Sequence, residues 1–160
     1  MKHKTAKKLW GGNFKKLPSR EVLEFTSGWD ARAKKPYDER LLFYDIKVNT
    51  AHARMLGEQG IIPKSDMAAL LKALKSIDLA SFKFDPALED AHTNIERYVI
   101  EKCGIAVGGK LHTARSRNDQ SATMMRLYMK DQAEKFVHDL RLLAHILQKL
   151  SNKHSATSMP

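Results

Sequence analysis

Cysteine is nearly absent from this chain: Cys103 is the only one among 160 residues. A single thiol excludes an internal disulfide framework and paired-thiol zinc ligation, and it fits a reducing compartment, most simply the cytoplasm. No His-Glu-x-x-His stands anywhere in the chain, so the pattern implies no metal, and nothing in it calls for a cofactor. No apolar run approaches membrane-spanning length and no signal-peptide core follows the basic start, which excludes a membrane-embedded reading. Acidic residues are missing from the first 20 positions, which carry Lys2, Lys4, Lys7, Lys8, Lys15, Lys16 and Arg20. That arm holds +7 of the net +10, so the other 140 residues are close to balanced. A basic arm on a balanced body reads as a solvated, disordered terminus over residues 1–8 rather than a nucleic-acid contact.

What is present is helical. Apolar and charged fractions of 42% and 29% are those of a soluble globular chain, long enough for one domain with a real core. Leu9-Trp-Gly-Gly-Asn-Phe14 flanks a glycine pair with two aromatics and reads as a segment that docks through its rings. Residues 15–37 read as irregular or short helical pieces, broken at Pro36. From about Asp38 to Gln59, Leu41, Tyr44, Val48, Ala51 and Met55 recur at three- and four-residue spacing, with Gly57 and Gly60 marking the end. Pro63 opens a second helix with Met67, Leu70, Leu71 and Leu74 on one face. A third runs from about Asp90 to Lys102, burying Ala91, Ile95, Tyr98 and Val99, and Gly104 stops it. The last spans about Asn118 to His154, with a near-heptad stripe of Met125, Met129, Ala133, Phe136, Leu140, Leu143, Leu147 and Leu150. No repeat and no strand pattern stands out, so the expected class is all-α. The long helix would span roughly 50 Å at 1.5 Å per residue, more than three short helices can cover, so its seam calls for other subunits or further chain.

The densest chemistry sits just ahead of that helix, in Gly108-Gly-Lys-Leu-His-Thr-Ala-Arg-Ser-Arg-Asn-Asp119. A helix amino end offers unpaired N–H groups and partial positive charge, and arginines, hydroxyls and an amide added there suit an anion with several oxygens. Ser116 with Asp119 imitates a capping box. That leaves Arg115 and Arg117 unexplained, because cations sit badly at the positive end of a helix dipole unless an anion offsets them. Gly104-Ile-Ala-Val-Gly-Gly-Lys110 has phosphate-loop spacing, but Leu111 replaces the metal-binding hydroxyl and a helix precedes it, so the glycines read as a flexible turn. Glu89-Asp-Ala-His92 reads from composition as a cap by Asp90 beside an incidental surface histidine. His52 reads as a core or interface histidine.

These stretches resemble, in order, the amino-terminal third of the argininosuccinate lyase family, within the fumarase/aspartase superfamily. The matching pieces are Leu9–Phe14, Phe25-Thr-Ser27, Tyr44-Asp-Ile46, Ala51-His52, Glu89–His92, Met159-Pro160 and, most specifically, Gly109–Gln120. The resemblance implies a small helical amino-terminal domain over residues 9–117 and the start of a central helical bundle over 118–160. It implies β-elimination of argininosuccinate to arginine and fumarate by a homotetramer whose active sites draw on several subunits. It implies that Ser116, Arg117 and Asn118 contact substrate carboxylates, that Ser27 contacts the arginine-bearing part, and that Asp90 and His92 line the same cleft. The family continues past Met-Pro with Gly-Tyr-Thr-His, and its acid–base His and Ser lie beyond Pro160, so residues 1–160 alone are expected to turn over nothing. Asn13, Ala91 and Ala114 depart from the family's usual Arg, larger aliphatic and Gly. Ala114 matters most, because that loop position is a candidate for positive φ. The residues by themselves leave two other readings: a non-catalytic helical module using the basic arm on RNA or an acidic partner, and a sibling lyase with another succinyl or fumarate-type substrate.

Overall fold

The computed structural model describes residues 19–26, 28–32, 34–88 and 90–158. The basic arm, Leu9–Phe14, Ser27, Glu89 and Met159-Pro160 lie outside them. Along the chain run α1 (Arg20–Thr26), β1 (Trp29–Asp30), β2 (Lys35–Pro36), a 3-10 turn (Tyr37–Leu41), α2 (Leu42–Glu58) and α3 (Lys64–Lys75). There follow a 3-10 turn (Pro86–Leu88), α4 (Ala91–Cys103), α5 (Ile105–Gly108), a 3-10 turn (Gly109–His112) and α6 (Arg117–Lys153). The class is all-α. The two-residue strands form one antiparallel ladder, with Trp29 opposite Pro36 and Asp30 opposite Lys35. A ladder this short has no alternating pattern to read in the sequence. It follows from the chain reversal itself, in which Gly28 and Lys34 take φ of +61° and +53°.

Helix starts are placed by local chemistry. α3 begins after Pro63, carries Asp66 in its first turn and Lys72 and Lys75 in its last, all complementing the helix dipole. α4 is capped twice: Asp90 Oδ1 accepts the Thr93 N–H at 2.6 Å, and Asp38 Oδ2 accepts the Ala91 N–H at 3.0 Å. Burial pushes the Asp38 carboxyl up, against the pull of that N–H bond. Ser116 caps α6 in a full capping box, its Oγ accepting from Asn118 N–H at 3.1 Å while Asp119 Oδ2 accepts the Ser116 N–H at 3.2 Å.

α2, α3 and α4 pack on one another around Leu56, Leu70, Leu74, Ile95, Val99 and Leu111, all essentially inaccessible. Each such side chain contributes roughly 1.5–3 kcal/mol of burial free energy. The buried stripe of α2 differs from the expected one: Leu42, Asp45, Asn49, Ala53 and Leu56 face inward, while Ala51 and Met55 are exposed. Two polar residues on the inner face displaced the apparent apolar phase. The 104–112 segment is also no flexible turn. Gly104, at φ +78°, ends α4, and the chain then winds into α5 and a 3-10 turn. A Cβ at Gly108 would stand 2.7 Å from the Ile100 Cα, so only glycine lets α5 lie this close to α4. That approach sets residues 112–117 against the middle of α2 and the first turns of α4.

Candidate active site

Three elements supply the polar cluster, each through helical spacing. Asp45 and Asn49 share the inner face of α2; His92 and Glu96 share a face of α4; Arg117, Gln120 and Ser121 share the first turns of α6. Asp45 is fully buried and Asn49, His92 and Gln120 nearly so. His92 Nδ1 donates to Asp45 Oδ1 at 2.7 Å, and its Nε2 lies 3.0 Å from Ser121 Oγ. Gln120 Nε2 donates to the same Asp45 oxygen at 2.7 Å, and Asn49 Nδ2 donates to Asp45 Oδ2 at 2.9 Å. His92 is therefore a buried member of this network and not an incidental surface residue. Burial of so many polar groups is tolerable because nearly every donor meets an acceptor.

The two arginines have different fates. Arg117 Nη2 donates to Glu96 Oε2 at 2.9 Å and reaches Thr93 Oγ1 at 3.4 Å, while Nη1 reaches Gln120 Oε1 at 3.3 Å. The anion that offsets Arg117 at the helix start is thus a residue of α4. Arg115 Nη2 donates to Asn49 Oδ1 at 2.6 Å, yet its Nε and Nη1 are buried without a partner among the described residues. Burial lowers the Arg115 pKa, with nearby Asp45 opposing. Unmet buried donors of this kind cost about 1–3 kcal/mol each, more when charged. His112 Nδ1 is a third buried atom without a partner. Burial, then the Arg117 charge, holds the His112 imidazole below its ordinary value.

The loop's backbone is pinned and strained. His52 Nε2 donates to the Thr113 carbonyl at 2.9 Å, and burial lowers the His52 pKa against that bond. Lys110 Nζ donates to Asp66 Oδ2 at 2.5 Å, tying the preceding turn to α3. Immediately after the Thr113 anchor Ala114 takes φ +55°, the left-handed conformation expected of a glycine position.

Of the residues marked in the sequence, His92, Ser116, Arg117 and Asn118 come together here. Asp90 stands at the head of α4 as its cap; Ser27 lies outside the described residues. Ser116 spends its lone pairs on the cap but keeps a hydroxyl proton to give. The Asn118 side chain is exposed and makes no hydrogen bond among the described residues. Asp45, Asn49, Glu96 and Gln120 are the members to which no sequence pattern assigned a role. The available signal was a pair of polar residues four apart on α2, Asp45 and Asn49. Elsewhere, a cavity of about 370 Å³ opens beside Phe82, Arg97 and Tyr98. Within it Arg97 pairs with Asp85 and Glu101. Among the described residues no cluster of His, Cys, Asp and Glu forms a metal site, and no helix is long and apolar enough to cross a membrane.

The chain is 44% identical over 98% of its length to an argininosuccinate lyase of Geobacter metallireducens. It is 41% identical over 96% to one of Sulfurihydrogenibium sp. and 42% identical over 96% to one of Geobacillus kaustophilus. In each case it spans 33% of the relative's length. The lyase family model matches residues 29–160, which takes in every element from β1 onward and the whole polar cluster, and the chain belongs to that family.

Proposed function

We propose that this chain forms the carboxylate-binding part of an argininosuccinate lyase, which releases arginine and fumarate by β-elimination. The observation that carries the reading is the unmet donor capacity at the head of α6. Arg115 keeps two unpartnered guanidinium nitrogens, Ser116 a free hydroxyl proton and Asn118 an unengaged amide, all beside a dipole end that favours anions. Likeness to enzymes named argininosuccinate lyase over nearly the whole chain supports it.

In this reaction a proton leaves the carbon beside a succinyl carboxylate, the carboxylate takes up the developing charge, and the C–N bond breaks to release the guanidine nitrogen. Donors already held in place bind the substrate's charged carboxylates without the reorganisation that mobile water would need. Ser116 and Asn118 take substrate carboxylates and Arg117, already paired with Glu96, orders the helix start around them. His92 and Asp90 support the cleft wall, and Ser27 takes the arginine-bearing part. The acid–base residues come from outside this set. The exposed α6 face, on which Phe136, Leu140, Leu143 and Leu147 are 48–63% accessible, supports assembly as a homotetramer. With Leu142 and Ile146 the apolar arc covers about 160° at 100° per residue, wider than a two-helix seam needs and suited to a bundle. The site of action is the cytoplasm.

The test is turnover by the intact gene product. Equimolar fumarate and arginine from argininosuccinate are expected. Fumarate released only from another succinyl substrate would reassign the chain to a sibling lyase, and no fumarate from any would remove the reading.

A further inference from the structure

A primary amide has one donating end and one accepting end, and in an open setting either end can face a given neighbour. A carboxylate only accepts. Fully buried Asp45 takes the NH2 ends of both Asn49, at 2.9 Å, and Gln120, at 2.7 Å. That leaves both amide oxygens pointing onward, and each meets a different arginine. Asn49 Oδ1 lies 2.6 Å from Arg115 Nη2, and Gln120 Oε1 lies 3.3 Å from Arg117 Nη1. His92, donating to the same carboxylate, adds a link to Ser121 on α6.

We infer that Asp45 is the positioning residue of this site: one buried carboxylate sets the polarity of two amide relays, and through them holds the two guanidiniums that flank Ser116 in the chain, fixing the loop that presents Ser116 and Asn118. Charge passes outward as a chain of aligned dipoles, carboxylate to amide to guanidinium, in surroundings where such chains reinforce one another. Asparagine at position 45 would place a donor against one amide, forcing that amide to turn its own NH2 toward an arginine that has nothing to accept with.

The catalytic readout rests on the lyase reading; the geometry does not. In the intact enzyme, Asp45→Asn is expected to raise KM for argininosuccinate about tenfold, the scale of one charge-assisted hydrogen bond. The kcat should stay within about threefold, with helix content retained. A merely structural role would lower both activity and stability without this split. It would also act independently of Gln120→Met, which cuts only the relay to Arg117. The inference requires the double variant's rise in KM to fall short of the product of the single rises. Multiplying effects, or an unchanged KM in folded Asp45→Asn, overturns it. Should Asp45→Asn fail to fold, Gln120→Met and Asn49→Met decide, each expected to raise KM severalfold and each overturning the inference if KM is unmoved. If the unsubstituted enzyme releases no fumarate, the lyase reading falls separately. The relay is then judged by NMR: Asp45→Asn must shift the Arg115 and Arg117 Nε–H resonances, and unshifted signals refute it.

Discussion

Ala114 stands where the loop turns left-handed, at φ +55°. For an alanine this conformation costs about 1–2 kcal/mol, and glycine escapes that cost while losing about 0.5–1 kcal/mol in chain entropy. Ala114→Gly is therefore expected to stabilise the protein by roughly 0.5–1 kcal/mol, seen as a rise in Tm on thermal melting. A fall would mean that contacts of the methyl group outweigh the backbone strain. Much at this scale was readable in advance. Ser116 and Asp119 announced a capping box, and a glycine-like position at 114 announced positive φ. Asp45 and Glu96 were not readable, because an acid on a helix is ordinarily solvated. Only the arrival of His92 and Gln120, 47 and 75 residues downstream, makes Asp45 an interior residue. Likewise Arg117 invited an outside anion, and the nearest one proved to be 21 residues upstream in the same chain.

Among the elements, the tie between α2 and the loop before α6 carries a pH signature. His52 donates from α2 to Thr113, and His112 stands one residue before it. Burial lowers both imidazoles below the ordinary value of 6.5. The unfolded chain therefore takes up protons that the folded chain refuses. The stability they contribute is whole above 6.5 and drains as the pH falls below it toward the depressed folded values. Thermal melts between about pH 7.5 and 5.5 should show Tm falling with acid, and His52→Asn with His112→Asn should flatten that slope. A slope unchanged in the double variant would place the acid sensitivity elsewhere. Helix positions at this scale were legible because caps, prolines and glycines act within a few residues. The phase of α2 was not, since Asp45 and Asn49 interrupt its inner face. Nor was α5, since its winding depends on Gly108 nestling against Ile100.

On the scale of the whole molecule, α6 is a helix of 37 residues whose inner contacts end early. Gln120 and Met124 are buried, and every residue from 129 to 158 is exposed. The heptad-like spacing made this apolar stripe legible and its length implied that three short helices could not cover it, while the point at which coverage ends, after the first turns, depends on how α2–α4 pack. Leu140→Lys with Leu147→Lys is expected to shift the intact protein to smaller assemblies by sedimentation; an unaltered assembly would show the stripe is not its interface. Lone apolar stripes of this length otherwise invite nonspecific association. The same helix would join assembly to the proposed anion site, since its fully exposed stretch starts between three and four turns beyond the Ser116 cap. The account as a whole stands on that site. Its most direct measurement is the crystal structure of the intact protein soaked with fumarate. A dicarboxylate bonded to Ser116 and Asn118, with Arg117 still on Glu96 and Asp45 still holding Asn49 and Gln120, is the predicted result. Fumarate bound elsewhere, with this loop empty at saturating ligand, would contradict it.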